Sequence, residues 1–239
     1  TTANSETLGR FLTALRWTFI PEEMDTESAA FWGVNELVGA VQRWVPPSRS
    51  CELVLLPISS ETPTLRPLDC PVTSPGGIFD INMRTLDSDW SHSFLLDHGW
   101  SVLVEPVAWQ FGEVRTKEGL YIQNDGVVLA VMERLDPPLQ IGDFDRMSDG
   151  FNSTQMVRSV SRTSRFLNTL GFQGFIHHRG PLPGEGPRVL QLEHLSPGTA
   201  TINLAIMHPR SKMDGSIELI DVPVDPPSKV DLSDGCARG

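Results

Sequence analysis

Apolar residues in this chain come in short bursts of about 5–10 positions, the length of a strand, set apart by Pro, Gly and polar clusters. From Gly9 to Ile20 the run Arg-Phe-Leu-Thr-Ala-Leu-Arg-Trp-Thr-Phe-Ile is rich in β-favouring residues and halts at Pro21, predicting a first strand. Asp25 and Thr26 then offer a helix cap. Phe31, Val34, Val38, Val41 and Val45 follow at helical steps until Pro46-Pro47, which predicts one early helix laid on a sheet. Cys51 to Ile58 is continuously apolar through Leu53, Val54, Leu55 and Leu56 and reads as a strand buried on both faces.

Residues 59–76 form a polar, proline-rich connection, and so long a loop implies a surface role. Ile78 to Met83 and Trp100 to Phe111 are strands, and Pro106 marks a bulge or a sheet edge in the second. Asn124-Asp125-Gly126 between Gly119–Gln123 and Val127–Met132 is a hairpin turn, since these residues accept positive φ. Residues 136–155 read as an acidic loop, and Gln155 to Leu170 carries Arg158, Arg162 and Arg165 at helix-like spacing. Phe172 to His178, Arg188 to Glu193, Thr199 to Met207 and Ser216 to Val222 are strands, the last three forming an antiparallel meander. Ile202, Leu204 and Ile206 alternate with Thr201, Asn203 and Ala205, so one face of that sheet is buried. With neither a βαβ rhythm nor an internal repeat in view, the pattern predicts a mainly β fold, an antiparallel β-sandwich of jelly-roll form. One domain over residues 1–239 is expected, with a flexible segment at 1–8 and an extended arm at 223–239.

Charge narrows the function. A formal net charge of −11 opposes general adhesion to nucleic acid or anionic membranes. Lys117, Lys212 and Lys229 are the only lysines, so arginine supplies most positive charge, a bias toward planar paired contacts and extensive interfaces. No apolar run approaches a membrane span. The start, Thr-Thr-Ala-Asn-Ser-Glu, has neither Met nor signal-peptide character and is expected to be a processed end. Cys51, Cys70 and Cys236 form no C-x-x-C pair; free thiols are expected, with a Cys51–Cys70 bridge left open.

Each candidate chemical motif fails on spacing. His177 and His178 are adjacent and would point to opposite faces of a strand, so they cannot chelate one ion together. His92, His98, His194 and His208 stand singly. Asp143, Asp145, Asp149 and Gly150 have the outline of a calcium loop, but Met147 takes a ligand position and no closing Glu follows. Asp87 and Asp89 have the form of a glycosidase pair and read as solvated loop charges. Nucleophile-elbow and phosphate-loop patterns are absent, and Asn152-Ser153-Thr154 is read as a chance acceptor sequence. The expectation is no catalytic residue, no metal and no cofactor. Arg158, Arg162, Arg165 and Arg179 are the one local basic concentration and, with Trp17 and Trp90, the candidates for interface or nucleic-acid contact.

The strand–helix–strand opening, the long Pro/Ser/Thr loops and the closing meander with its arm resemble a coat protein of the picorna-like viruses. That resemblance, over about Arg10 to Val222, implies a structural, non-enzymatic subunit that assembles with copies of itself or sister subunits into an icosahedral shell. It further implies weak contact with viral RNA, residence in the virion after assembly in the host cytoplasm, and loops 59–76 and 136–155 as shell surface or subunit contacts. The alternatives are a carbohydrate-binding or carbohydrate-active β-sandwich and a metal-dependent jelly-roll enzyme using His177 or His178.

Overall fold

The computed structural model describes residues 5–24, 27–28, 39–57, 71–138, 144–193, 201–210 and 212–223. The chain opens with α1 (Ser5–Ala14), followed by β1 (Thr18–Glu22), β2 (Val41–Val45) and β3 (Leu53–Leu55), an antiparallel sheet in the order β1-β2-β3. The strand expected over Gly9–Ile20 is therefore mostly helix. Leu8, Phe11 and Leu12 recur at helical spacing and are all buried, and this amphipathic stripe outweighs local β propensity. Of the early helix, residues 25–26 and 29–38 lie outside the described residues, while Val41 and Val45 belong to β2. The strand at Cys51–Ile58 reduces to β3, whose Val54 is exposed, so it is not buried on both faces.

The rest of the chain is two βαβββ units in succession. The first comprises β4 (Ile78–Thr85), α2 (Ser88–Asp97), β5 (Ser101–Phe111), β6 (Val114–Ile122) and β7 (Val128–Asp136). The second comprises β8 (Asn152–Met156), α3 (Val160–Thr169), β9 (Phe172–Pro181), β10 (Thr201–Pro209) and β11 (Ser216–Asp221), with the short α4 (Gly186–Val189) between β9 and β10. Together they form one eight-stranded sheet, β5-β6-β7-β4-β8-β11-β10-β9. In each unit the first strand lies parallel to the last, β4 beside β7 and β8 beside β11, and the units join through the antiparallel β4–β8 pair, where Ile81 faces Ser153. An approximate two-fold axis at that pair exchanges Asn82 with Thr154 and Asp80 with Asn152. The connections obey it too. Asp87 caps α2 and Ser159 caps α3, and left-handed glycines follow both helices, Gly99 (φ 82) and Gly171 (φ 93).

The sheet is thus mixed, and the antiparallel jelly roll is corrected to a curled sheet with an internal repeat and a βαβ rhythm. Pro106 does lie on an edge strand, β5, whose pairing with β6 shifts register on both sides of Val104. The hairpin at Asn124–Gly126 and the antiparallel pairing of β10 with β11 stand as expected. Asn152–Met156, assigned to a loop, is a central strand, and Arg188–Glu193, assigned to a strand, begins in α4.

Side-chain alternation gives the sheet two unlike faces. On the convex face Leu95 of α2 packs with Met83, Tyr121, Leu129 and Val131, and α1, Trp17, Trp44 and Leu55 continue the same core. Val160 and Leu167 of α3 cover Ala205, Met207 and Leu219. The concave face buries Leu120, Ala130, Met156, Ile202, Leu204 and Ile220 beneath Leu182, Leu190 and Leu192 of the β9–β10 connection. The two edge strands approach over this face, Phe111 of β5 meeting the His178 ring of β9 edge-on at 5.0 Å.

Candidate functional site

Strand registers fix which side chains share the concave face. Asp80 on β4 lies beside Thr154 on β8, which lies beside Glu218 on β11. In the neighbouring row Asn82 lies between Ala130 and Asn152. Further along, Glu118 on β6, Met132 on β7 and Arg84 on β4 form a third row, and Thr116 is paired with Arg134. Three carboxylates and two guanidiniums, with the neutral polar residues Asn82, Thr154 and Thr116, therefore share a face with apolar core.

The carboxylates are individually held. Asp80 is 4% exposed, and its Oδ1 accepts from Asn82 Nδ2 at 2.9 Å and from the Thr154 backbone N–H at 3.2 Å. Asn82 Nδ2 also donates to Thr154 Oγ1 (2.9 Å), whose hydroxyl donates to Glu218 Oε2 at 3.2 Å. Glu118, 8% exposed, accepts from the Trp109 indole N–H at 3.1 Å. Burial pushes the Glu118 carboxyl up to about 8, the charge of Glu218 adds to the push, Trp109 opposes it, and Asp80 adds a smaller push. Burial and then Asp80 raise Glu218 to about 7 against the hydrogen bond from Thr154. Glu118 and Glu218 sense each other although β7, β4 and β8 lie between their strands, which only a strongly curled sheet permits. Their sequence signal was a lone acid inside an apolar alternation, as in Ile217-Glu218-Leu219-Ile220, and the motif templates pass over it.

Residues singled out from sequence lie elsewhere. Trp17 is 6% exposed in the convex core. Trp90 stacks on Phe94 at 4.7 Å with the Arg146 guanidinium 5.0 Å from its ring. Arg158, Arg162 and Arg165 are exposed at and along α3, and Arg179 is exposed on β9. Helix α3 covers the convex face, so these arginines do not meet the carboxylates. His177 and His178 do take opposite faces: His178 pairs with Leu204 of the concave core and His177 with Ala205 of the convex one. Asp87 is a helix cap, and Asp89 pairs with Lys117 at 2.6 Å. Asp145 pairs with Arg16 and Asp149 accepts from Ser48 and Ser50, while Asp143, Cys70 and Cys236 lie outside the described residues. Among the described residues no group of three or more His, Cys, Asp or Glu is placed to hold a metal ion. Asn152-Ser153-Thr154 is the body of β8. No helix among the described residues is long and apolar enough to cross a membrane.

The architecture has known counterparts. Glyoxalase I from Zea mays superposes with a TM-score of 0.59 at 10% identity, covering 94% of this chain and 66% of that one, and a mutant of the same enzyme gives 0.60 over the same spans. A putative dioxygenase from Bacillus subtilis scores 0.49 at 8% identity, covering 89% and 58% of the two chains. The chain thus spans about two thirds of the maize enzyme's length. No protein-family model and no curated protein sequence matches. These counterparts overturn the coat-protein resemblance and what it implied: a non-enzymatic subunit, capsid partners with bound RNA, and residence in a virion. The fold is shared with an enzyme, and the carbohydrate-binding alternative finds no counterpart among these structures. The error arose because element order and loop composition were read without strand pairing, and pairing distinguishes a duplicated mixed sheet from a jelly roll.

Proposed function

We propose that this chain is an enzyme that transfers protons on a small organic molecule held at the concave face, with Glu218 and Glu118 as its base and acid and the two units acting as one functional domain. The observation that carries the reading is that one sheet face buries two carboxyls, Glu218 beside Asp80 and Thr154 and Glu118 held by Trp109, which burial raises to about 7 and about 8. Structural carboxylates in strands seldom rise this far without a task, and groups poised near neutral pH transfer protons best there. At neutral pH Glu218 is about half ionised and serves as base, while Glu118 is mostly protonated and serves as acid. In the step, Glu218 takes a proton from a carbon beside a carbonyl as Glu118 gives one to the carbonyl oxygen, yielding the enol. Thr154 aims Glu218, and Trp109 fixes Glu118. Asn82 Nδ2 and the Thr154 N–H both donate to Asp80, whose charge helps raise Glu218 and Glu118. The likeness to glyoxalase I supports an enzyme on this fold and leaves the substrate open.

The test is hydrogen–deuterium exchange in D₂O, followed by proton NMR, on a panel of 2-oxo acids and hydroxyketones. The protein should accelerate loss of the carbon-bound proton in at least one compound, and Glu218→Gln should slow it by about 10²–10⁴-fold. If no compound in the panel exchanges and both carboxyls titrate below pH 5 by carbon-13 NMR, the reading falls.

A further inference from the structure

Arg84 and Arg134 have no role in the proton transfer, yet both sit on the concave face beside it. Met83 and Val131 belong to the convex core, so Arg84, one step along β4, and Met132, its partner on β7, face the trough. Glu133 turns the other way to accept from Ser88 at the start of α2, which puts Arg134 on the concave side opposite buried Thr116. The Arg84 guanidinium lies 3.9 Å over the Phe151 ring and touches Met213 Sδ. Its planar face and one edge are thereby fixed by uncharged groups.

Neither guanidinium has a carboxylate within salt-bridge reach among the described residues. Burial lowers the Arg84 pKa most, Asp214 nearby pulls it back up, and Arg134 lowers it again, so the two cations are close enough to repel. Arg134 Nε is buried without a hydrogen-bond partner among the described residues, and so is Asn152 Oδ1. Two half-buried like charges and an unmet N–H donor are costly unless an anion completes them. Glu118 shares a row with Arg84 and lies one step along its face from Thr116, the partner of Arg134, yet neither Glu118 nor Glu218 is ion-paired with an arginine or lowered by one.

We propose that Arg84 and Arg134 are the anion-binding subsite of the enzyme, which therefore acts on small molecules carrying a carboxylate or phosphate group. The proposal rests on the proton-transfer reading for what the rest of the molecule does. Arg84 and Glu118 stand two strands apart, about 10 Å between backbones, so the anionic group and the reacting carbon belong to one compact substrate. Planar forked donors suit both carboxylate and phosphate oxygens, and a guanidinium already stacked and edge-packed loses little freedom on binding.

The experiment is an NMR titration of the arginine Nε–H signals of the full chain with propionate and, separately, inorganic phosphate at constant ionic strength. The Arg134 signal should shift saturably with at least one anion, the tighter one identifying the group recognised. Arg84→Gln and Arg134→Gln should each weaken binding by about ten-fold or more, whereas Arg162→Gln on the outer surface of α3 leaves it unchanged. Should a variant fail to fold by circular dichroism, the wild-type Arg134 signal decides alone. No saturable shift with either anion, or equal binding in all three variants, overturns the proposal. The wild-type protein separates the two readings: saturable anion binding in wild type that exchanges no substrate proton removes the proton-transfer reading and leaves the subsite. Exchange of a 2-oxo acid with unchanged KM in both arginine variants removes the subsite and leaves the chemistry.

Discussion

Replacing Glu118 with Gln should make the protein more stable, by an amount that grows as pH rises above about 4.5. The native carboxyl titrates near 8 against an ordinary 4.5, so between these values the folded state holds a proton that the unfolded chain has released. Stability from this group is complete below about pH 4.5 and is lost as pH rises toward 8, at up to about 1.4 kcal/mol per pH unit. The full interval corresponds to about 4–5 kcal/mol, which partial relaxation around a charged Glu118 reduces to about 3. Glutamine keeps the carbonyl that accepts from Trp109 at 3.1 Å and has nothing to ionise, so Glu118→Gln should match wild type at pH 5 and exceed it by about 3–5 kcal/mol at pH 9. The slope that remains belongs to Glu218 and should end near pH 7. Urea denaturation of both proteins at pH 5, 6, 7, 8 and 9 reads this directly. Parallel curves for the two proteins would refute the buried, raised carboxyl and with it the acid assigned to the reaction. A gain in stability accompanied by slower exchange is the trade-off expected of a site that stores an unfavourable charge.

Gly171 has φ 93 and open space around its missing Cβ, so Gly171→Ala should cost about 1–2 kcal/mol from the backbone alone by urea denaturation. At Gly186 an added Cβ would meet Trp109 Cε3 at 3.0 Å and Leu182 Cβ at 3.2 Å. Gly186→Val should therefore destabilise by about 1–3 kcal/mol and, by shifting the indole that holds Glu118, slow exchange as well. Leu219 is fully buried between α3 and the sheet, and Leu219→Ala should cost about 2–5 kcal/mol with exchange per folded molecule unchanged.

Local chemistry was legible in the sequence wherever one interaction decided the element. Asn124-Asp125-Gly126 specifies its turn through φ tolerance, and the alternation of Ile202, Leu204 and Ile206 specifies a one-sided strand; both stand in the structure. Competing signals defeated the reading at the chain's start, where Leu8, Phe11 and Leu12 form one buried helical stripe next to Trp17, Thr18, Phe19 and Ile20, which favour strands. Helix α2 escaped notice because Asp87 and Asp89 were weighed as a catalytic pair rather than as a cap and a first-turn acid. The carboxylate site was legible only residue by residue. Asp80, Glu118 and Glu218 are far apart in sequence, and no spacing template brings together three strands that are separated by others in one sheet.

The repeat was invisible for a related reason, and its asymmetry bears on function. The axis that exchanges Asn82 with Thr154 also matches Ala130 to Glu218, Arg84 to Met156 and Glu118 to Leu204. At these positions each unit has the polar residue where the other has an apolar one or a different hydrogen-bonding group. Met156 and Leu204 lie in the core beneath Leu182, Leu190 and Leu192, whereas their counterparts Arg84 and Glu118 remain polar. The two copies of the face have diverged, with Arg84 and Glu118 polar in the first unit and Glu218 in the second. A symmetric trough would present the same groups to both ends of a substrate; this one carries Arg84, Arg134 and Glu118 on the first unit and Glu218 on the second. That division permits a single bound orientation, and it makes sequence comparison between the two units uninformative at the very positions that matter.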